Sequence, residues 1–278
     1  MTAVVLALTA SLLWGFGDYI GGRASREHPQ VLLVASNVAI GAVMMSIVIA
    51  SRGDGLPDHN ALVYGALAGI IGLAAWILIY RALAHGPLSV MLPIFALGAG
   101  IPALFGVLRG DDLSALQGIG LVCALAGAVL AAREPAHVGD RTERIGLVYV
   151  TGATVALGVT LIVIDAGGNS DAVGTVFAMR TSATLTLLPV LFYQRPSRAT
   201  IRAVFPFGLA VGTIDTTANT SFSLATSSGL LSEVAVLGSL FPIVSVALAR
   251  FHLGERIARV QELGVALAIV GTLAIAGG

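Results

Sequence analysis

Ten stretches of about twenty mostly apolar residues follow one another along this chain, separated by short polar links. They run over about 2–22, 31–51, 61–83, 87–108, 115–132, 145–165, 171–193, 203–225, 229–249 and 258–277. At 1.5 Å rise per residue, about 20 apolar residues match a bilayer core of roughly 30 Å. The pattern therefore predicts an all-α membrane protein with ten transmembrane helices. Charged residues make up 11% of the chain and hydrophobic ones 56%, against about 25% charged in soluble domains. So much apolar surface has to face lipid. Alternating barrel strands are absent, which leaves helices to satisfy the backbone inside the bilayer. The first segment lacks a basic flank and a small-residue cleavage site, and runs on through Trp14 and Phe16, so it is expected to stay as a span rather than be removed as a signal peptide.

Several function classes are disfavoured at once. Net charge is zero, which argues against nucleic acid as a partner, and Cys123 is the single cysteine, so no internal disulfide or cysteine-based metal site is expected. All fifteen basic residues are Arg; a phosphate-loop Lys, a Schiff-base Lys and a Ser-Lys dyad are thereby excluded. No cofactor or metal is expected from the spacing of the His residues.

The longest polar link, REPAHVGDRTER, divides the chain into residues 1–132, a linker at 133–144, and residues 145–278. The two halves look related. LGAGIPALFGVL (Leu97–Leu108) aligns with LGSLFPIVSVAL (Leu237–Leu248) at an offset of 140, and LQGIGLVCALAGAVLA (Leu116–Ala131) with VQELGVALAIVGTLAI (Val260–Ile275) at 144. A repeat with five spans enters the membrane the second time from the opposite side. Inverted repeats of this kind point to a transporter with its site near the midplane.

These residues, together with LLWGFGDYIGG (Leu12–Gly22), YRALAHGPLSV (Tyr80–Val90) and LGSLFPIVSVALARFHLGERI (Leu237–Ile257), resemble the EamA-type, ten-helix branch of the drug/metabolite transporter superfamily. The likeness covers essentially the whole chain. It implies two inverted five-helix halves around a central cavity and secondary transport, often export, of small metabolites; it names no substrate. Two departures stand out: the first half has LRGDDL where the second has LGERI, and Glu233 occupies a place where an apolar residue is expected.

Ionisable residues inside spans are costly and need a partner or a cavity. Arg180 lies about nine residues into its span, roughly 13 Å deep at 1.5 Å per residue. Depth counting brings Asp215 and Glu233 to the same region, with Asp215 the best counter-ion. The group is either a structural ion pair or a site in which Arg180 holds a carboxylate or phosphate while Asp215 or Glu233 takes up a proton. Asn219 is one turn from Asp215 and shares its face. Asp18 and Arg81 are expected at similar depth, as a structural pair fastening helix ends or as a gate. Asn37, Trp14 and Trp76 complete the candidate substrate-binding residues, and Pro93, Pro102 and Pro242 are candidate kink or gating positions.

The reading is a secondary transporter of a small polar or amphipathic metabolite (amino-acid-like or drug-like), proton-coupled, in the bacterial inner membrane. Its partners would be a small-molecule substrate and the lipid bilayer, with a homodimer left open. A membrane-embedded enzyme and a non-transporting subunit or sensor are the alternatives, the first lacking a convincing acid pair or Ser-His arrangement. Twelve link Arg lie on one face and only Arg52 and Arg109 on the other. By the positive-inside rule both termini are then expected outside, whereas the family resemblance more often implies both inside.

Overall fold

The computed structural model describes residues 1–53, 55–86, 88–112, 114–131, 141–241, 243–245, 247–248 and 259–277. Its helices are α1 (Thr2–Glu27), α2 (Gln30–Arg52), α3 (His59–His85), α4 (Leu88–Ala96), α5 (Gly100–Leu108), α6 (Ala115–Ala131), α7 (Arg141–Gln194), α8 (Arg198–Thr226), α9 (Leu231–Gly238) and α10 (Arg259–Gly277). Among the described residues there is no strand. Among the described residues four helices (α1, α2, α3 and α7) are long and apolar enough to cross a bilayer. Val5, Leu12, Phe16, Val43, Ile47, Leu104, Val148, Leu185 and Phe192 are exposed on the outside of the bundle. A belt of this extent fits lipid contact and would be an aggregation hazard in water.

Local chemistry sets the boundaries. Pro29 caps α2 immediately after α1 ends, and Gly53 closes α2 with φ 71°, a left-handed backbone that suits glycine. Asp58 and Ser197 cap α3 and α8 by accepting from the amides of Asn60 and Thr200. The 54-residue α7 is two limbs: Asp171 has extended backbone (φ −157°, ψ 101°), and its Oδ1 accepts from Gly174 N at 2.9 Å to cap the second limb. The helix starts at Arg141, so the last four residues of the polar link are helical rather than loop.

The expected single span over 87–108 is broken. A 3-10 turn at Leu97–Ala99 separates α4 from α5. Pro102 supplies the physical reason, since without an amide hydrogen it cannot bond the Gly98 carbonyl and the ladder loosens there. The freed carbonyl lies in tight contact with Gly158 of α7. The side chain of Pro93, and Pro242 altogether, lie outside the described residues.

Small residues fix how close the helices come. On α3, Gly65 and Gly69 press against Thr175, Ala178, Met179 and Ser182 of the second α7 limb; on α8, Gly208 and Gly212 press against Ser36, Asn37 and Ile40 of α2. Gly158 meets the Gly98 carbonyl and Ile101, and Gly15 of α1 meets the Phe241 carbonyl and Val244. In that matched set, Gly15 and Gly158, Gly98 and Phe241, and Ile101 and Val244 are each 143 positions apart. α6 packs along α10 at the periphery, while α1, α2, α3, α7 and α8 form the inner bundle.

Gly69→Leu and Gly212→Leu should each destabilise the protein by ~1–3 kcal/mol through overpacking, because a side chain there meets backbone. Gly118→Ala, where a Cβ meets nothing within 4 Å, should leave melting unchanged. Thermal unfolding in detergent checks this; equal melting for all three would contradict the packing described.

Candidate functional site

The largest fully buried side chain among the described residues is a cation. Arg180 is 1% exposed, nine residues after the Asp171 break, on the second limb of α7. Its Nη2 donates to Asp215 Oδ2 at 2.5 Å. Asp215, on α8, is equally buried and also accepts from Asn219 Nδ2, at 3.0 Å. Asn37 of α2 lies at 3.5 Å from both partners, offering Oδ1 to Arg180 Nη1 and Nδ2 to Asp215 Oδ2. Three elements thus supply one charge-neutral polar cluster. Gly41, one turn along α2 from Asn37, makes room for it: a Cβ there would lie 2.9 Å from Arg180 Cδ. Arg180 Nε and the hydroxyl of Thr216 are buried without a hydrogen-bond partner.

The cluster borders an internal, largely apolar cavity. Its wall is formed by Trp14 and Asp18 of α1, Val38 of α2, Ala68, Gly69, Gly72 and Trp76 of α3, Phe95 of α4 and Leu157 and Thr160 of the first α7 limb. Met179, Arg180, Asn219, Gly238 and Phe241 close it. Trp14 packs against Phe222 and Phe241, and Phe95 against Phe241, with ring centroids 5.4, 6.4 and 5.9 Å apart. Among the described residues, none of α6 or α10 lines this wall.

Of the residues predicted from sequence, Arg180, Asn219, Asp18, Trp14 and Trp76 line the cavity, while Asp215 and Asn37 sit behind the wall and hold Arg180 in it. Glu233 is elsewhere. It lies in the first turn of α9, accepts from Gln117 Nε2, and neighbours Asp111, which bonds both the amide and the hydroxyl of Ser232 at 3.0 and 2.7 Å. Helix α9 starts only at Leu231, so Glu233 is two residues in, about 3 Å deep, against roughly 13 Å for Arg180. Counting from an expected start at 229 made it look deeper.

The expected Asp18–Arg81 pair does not form among the described residues. Asp18 is 2% exposed, whereas Arg81 is exposed with its guanidinium 5.8 Å from the Tyr149 ring centre. Adjacent helical residues point about 100° apart; with Tyr80 buried at 1%, its neighbour Arg81 faces outward. Pro102 is buried in α5 beside the 3-10 turn, off the cavity wall.

Sequence reasoning missed Phe95, Thr160, Phe241 and Tyr80. Apolar residues within apolar spans carry no distinguishing signal. Gly41 could have been found, as a small residue one turn from a buried Asn on the same face.

A largely apolar cavity carrying a few buried polar groups, within helices long and apolar enough to cross a bilayer, is an arrangement that suits a membrane transport protein. The chain belongs to the EamA-like transporter family, which matches it twice, over residues 1–133 and 144–277. It is also similar to an uncharacterized protein of Methanocaldococcus jannaschii, 22% identical over 130 residues, a match that covers 46% of this chain and 95% of that protein. A solved crystal structure of a protein 20% identical in sequence shares the fold, with TM-score 0.73 over 99% of this chain and 98% of that one.

Removing one member of the buried pair strands the other charge, at a cost of ~3–5 kcal/mol. Arg180→Ala and Asp215→Ala should each lower the unfolding temperature in detergent more than the double variant does. A double variant less stable than either single one would contradict the pairing.

Proposed function

We propose that this protein is a secondary active transporter of a bacterial plasma membrane that exports a small polar or amphipathic metabolite in exchange for protons. The observation that carries this reading is the cavity itself: a charged and amide-bearing wall enclosed by helices whose outer surfaces are apolar. An ionisable group at this depth is expensive unless it serves a pathway or a partner. Here Arg180 has both a counter-ion and a face on the cavity.

Ten crossings in two halves, related by an axis in the membrane plane, complete the proposal. Its support is the matched packing: Gly65 and Gly69 of α3 against α7, Gly208 and Gly212 of α8 against α2, and the two glycine contacts at a shared offset of 143. The family's two matches, one in each half, and a relative spanned almost end to end by less than half of this chain point the same way. Such halves can rock about a central site, and the broken α4–α5 pass is the element in which to look for the movement. The Arg-rich links favour an orientation with that face in the cytoplasm and both termini outside.

Purified protein in proteoliposomes, loaded with a metabolite panel under an imposed pH gradient, tests the function. The expected result is gradient-dependent efflux of at least one metabolite, lost in a folded Arg180→Ala/Asp215→Ala double variant. Full flux in that double variant would reduce the cluster to scaffolding. Absence of flux across a broad panel would favour a sensor or partner subunit.

A further inference from the structure

The cavity's charges do not balance. Arg180 and Asp215 cancel each other at 2.5 Å; Asn37 meets Arg180 Nη1 and Asp215, and Asn219 meets Asp215. Asp18 is left over. It lines the cavity and is 2% exposed, yet among the described residues no hydrogen bond or ion pair reaches its carboxyl. The groups that face it supply no free cation. From α8 it meets the field of Asp215, and α3 brings Tyr80, a neutral phenol whose buried hydroxyl lies beside Asn37. Arg180, on α7, is already paired, α2 contributes the neutral Asn37, and among the described residues α4 and α9 bring no ionised group to the cavity wall.

A bare carboxylate in such a place is unfavourable, so it has to be occupied by a proton or by a cation. The surroundings suit an organic cation. Trp14, Trp76, Phe95 and Phe241 share the cavity wall with Asp18. Aromatic faces attract ammonium and guanidinium groups, and the apolar wall suits a hydrophobic body attached to them.

We propose that Asp18 is the binding site for the cationic group of the substrate, a monovalent amine or guanidine on an apolar body, and that this group displaces a proton from Asp18. The proposal rests on the transporter reading above and narrows its substrate class. In the exchange the carboxyl O–H bond breaks, the proton leaves to solvent, and the carboxylate pairs with the incoming ammonium. No redox partner is involved. Arg180 is thereby assigned to the wall, as half of a neutral pair, rather than to a substrate anion.

The test uses the full-length protein in detergent, with its two tryptophans, both on the cavity wall, as reporters. The probes are phenethylamine, neutral 2-phenylethanol and anionic hydrocinnamate. Phenethylamine should quench fluorescence saturably, and at least tenfold more tightly than the other two. Its apparent affinity should rise about tenfold from pH 6 to pH 7 as one proton is released per amine bound. Proton release, followed in weakly buffered solution, needs no variant. Asp18→Asn should abolish both the proton release and the preference for the amine, and Asp18→Glu should retain them. Equal binding of alcohol or carboxylate by the native protein, binding without proton release, or no amine binding at all would each overturn the proposal. Amine binding with proton release but no flux in proteoliposomes would instead overturn the transport reading and leave the site standing.

Discussion

The Arg180–Asp215 ion pair is the interaction on which the interior of this protein depends. Two full charges sit buried in a bundle whose outside is apolar, and neither has solvent to fall back on. Their mutual attraction is strong because the geometry is close, with Asn37 and Asn219 adding hydrogen bonds around the pair. Helices α2, α7 and α8 are therefore held in one register by chemistry, not by apolar packing alone. The glycines on α8 that seat against α2, and Gly41 that clears space for the arginine stem, are steric conditions for that pair.

Around this centre, two of the helical passes are interrupted. The α4–α5 pass is interrupted by a 3-10 turn at the Gly98 carbonyl, and α7 changes direction at Asp171, which Arg52 holds through both carboxylate oxygens at 2.9 and 3.0 Å. At that same end of the bundle, Asp111 caps α9 from a distant link. These polar closures are reachable from the surface, whereas the central pair is not. A division between a buried, permanent network and surface-accessible closures is what a gated cavity needs.

Much of this was legible in the sequence. The helical class, the apolar belt and the burial of Arg180 follow from 1.5 Å per residue and the cost of an unpaired charge. Asp215 and Asn219 follow from helical spacing. Legibility failed where rotation about a helix axis, and not depth, decides the partner: Arg81 lies at the right level for Asp18 but on the wrong side of α3. It failed again at Glu233, because α9 begins two residues later than the hydropathy pattern suggests. The match of Leu97–Leu108 to Leu237–Leu248 at 140 differs by about one helical turn from the offset of the close glycine contacts, a slip that periodic apolar sequence cannot reveal. The aromatic half of the cavity was silent, since Phe95 and Phe241 look like any lipid-facing residue until neighbours are known.

The central claim is that the cavity is a pathway open in turn to the two sides of the membrane. Single cysteines at Ala183 and Ala235, both on the cavity wall, in a Cys123→Ser background, test it most directly. A membrane-impermeant thiol reagent is applied to sealed vesicles of either orientation. The account predicts labelling of both positions from either side, slowed when an occupying ligand is present. Labelling from one side only, or from neither, would contradict it.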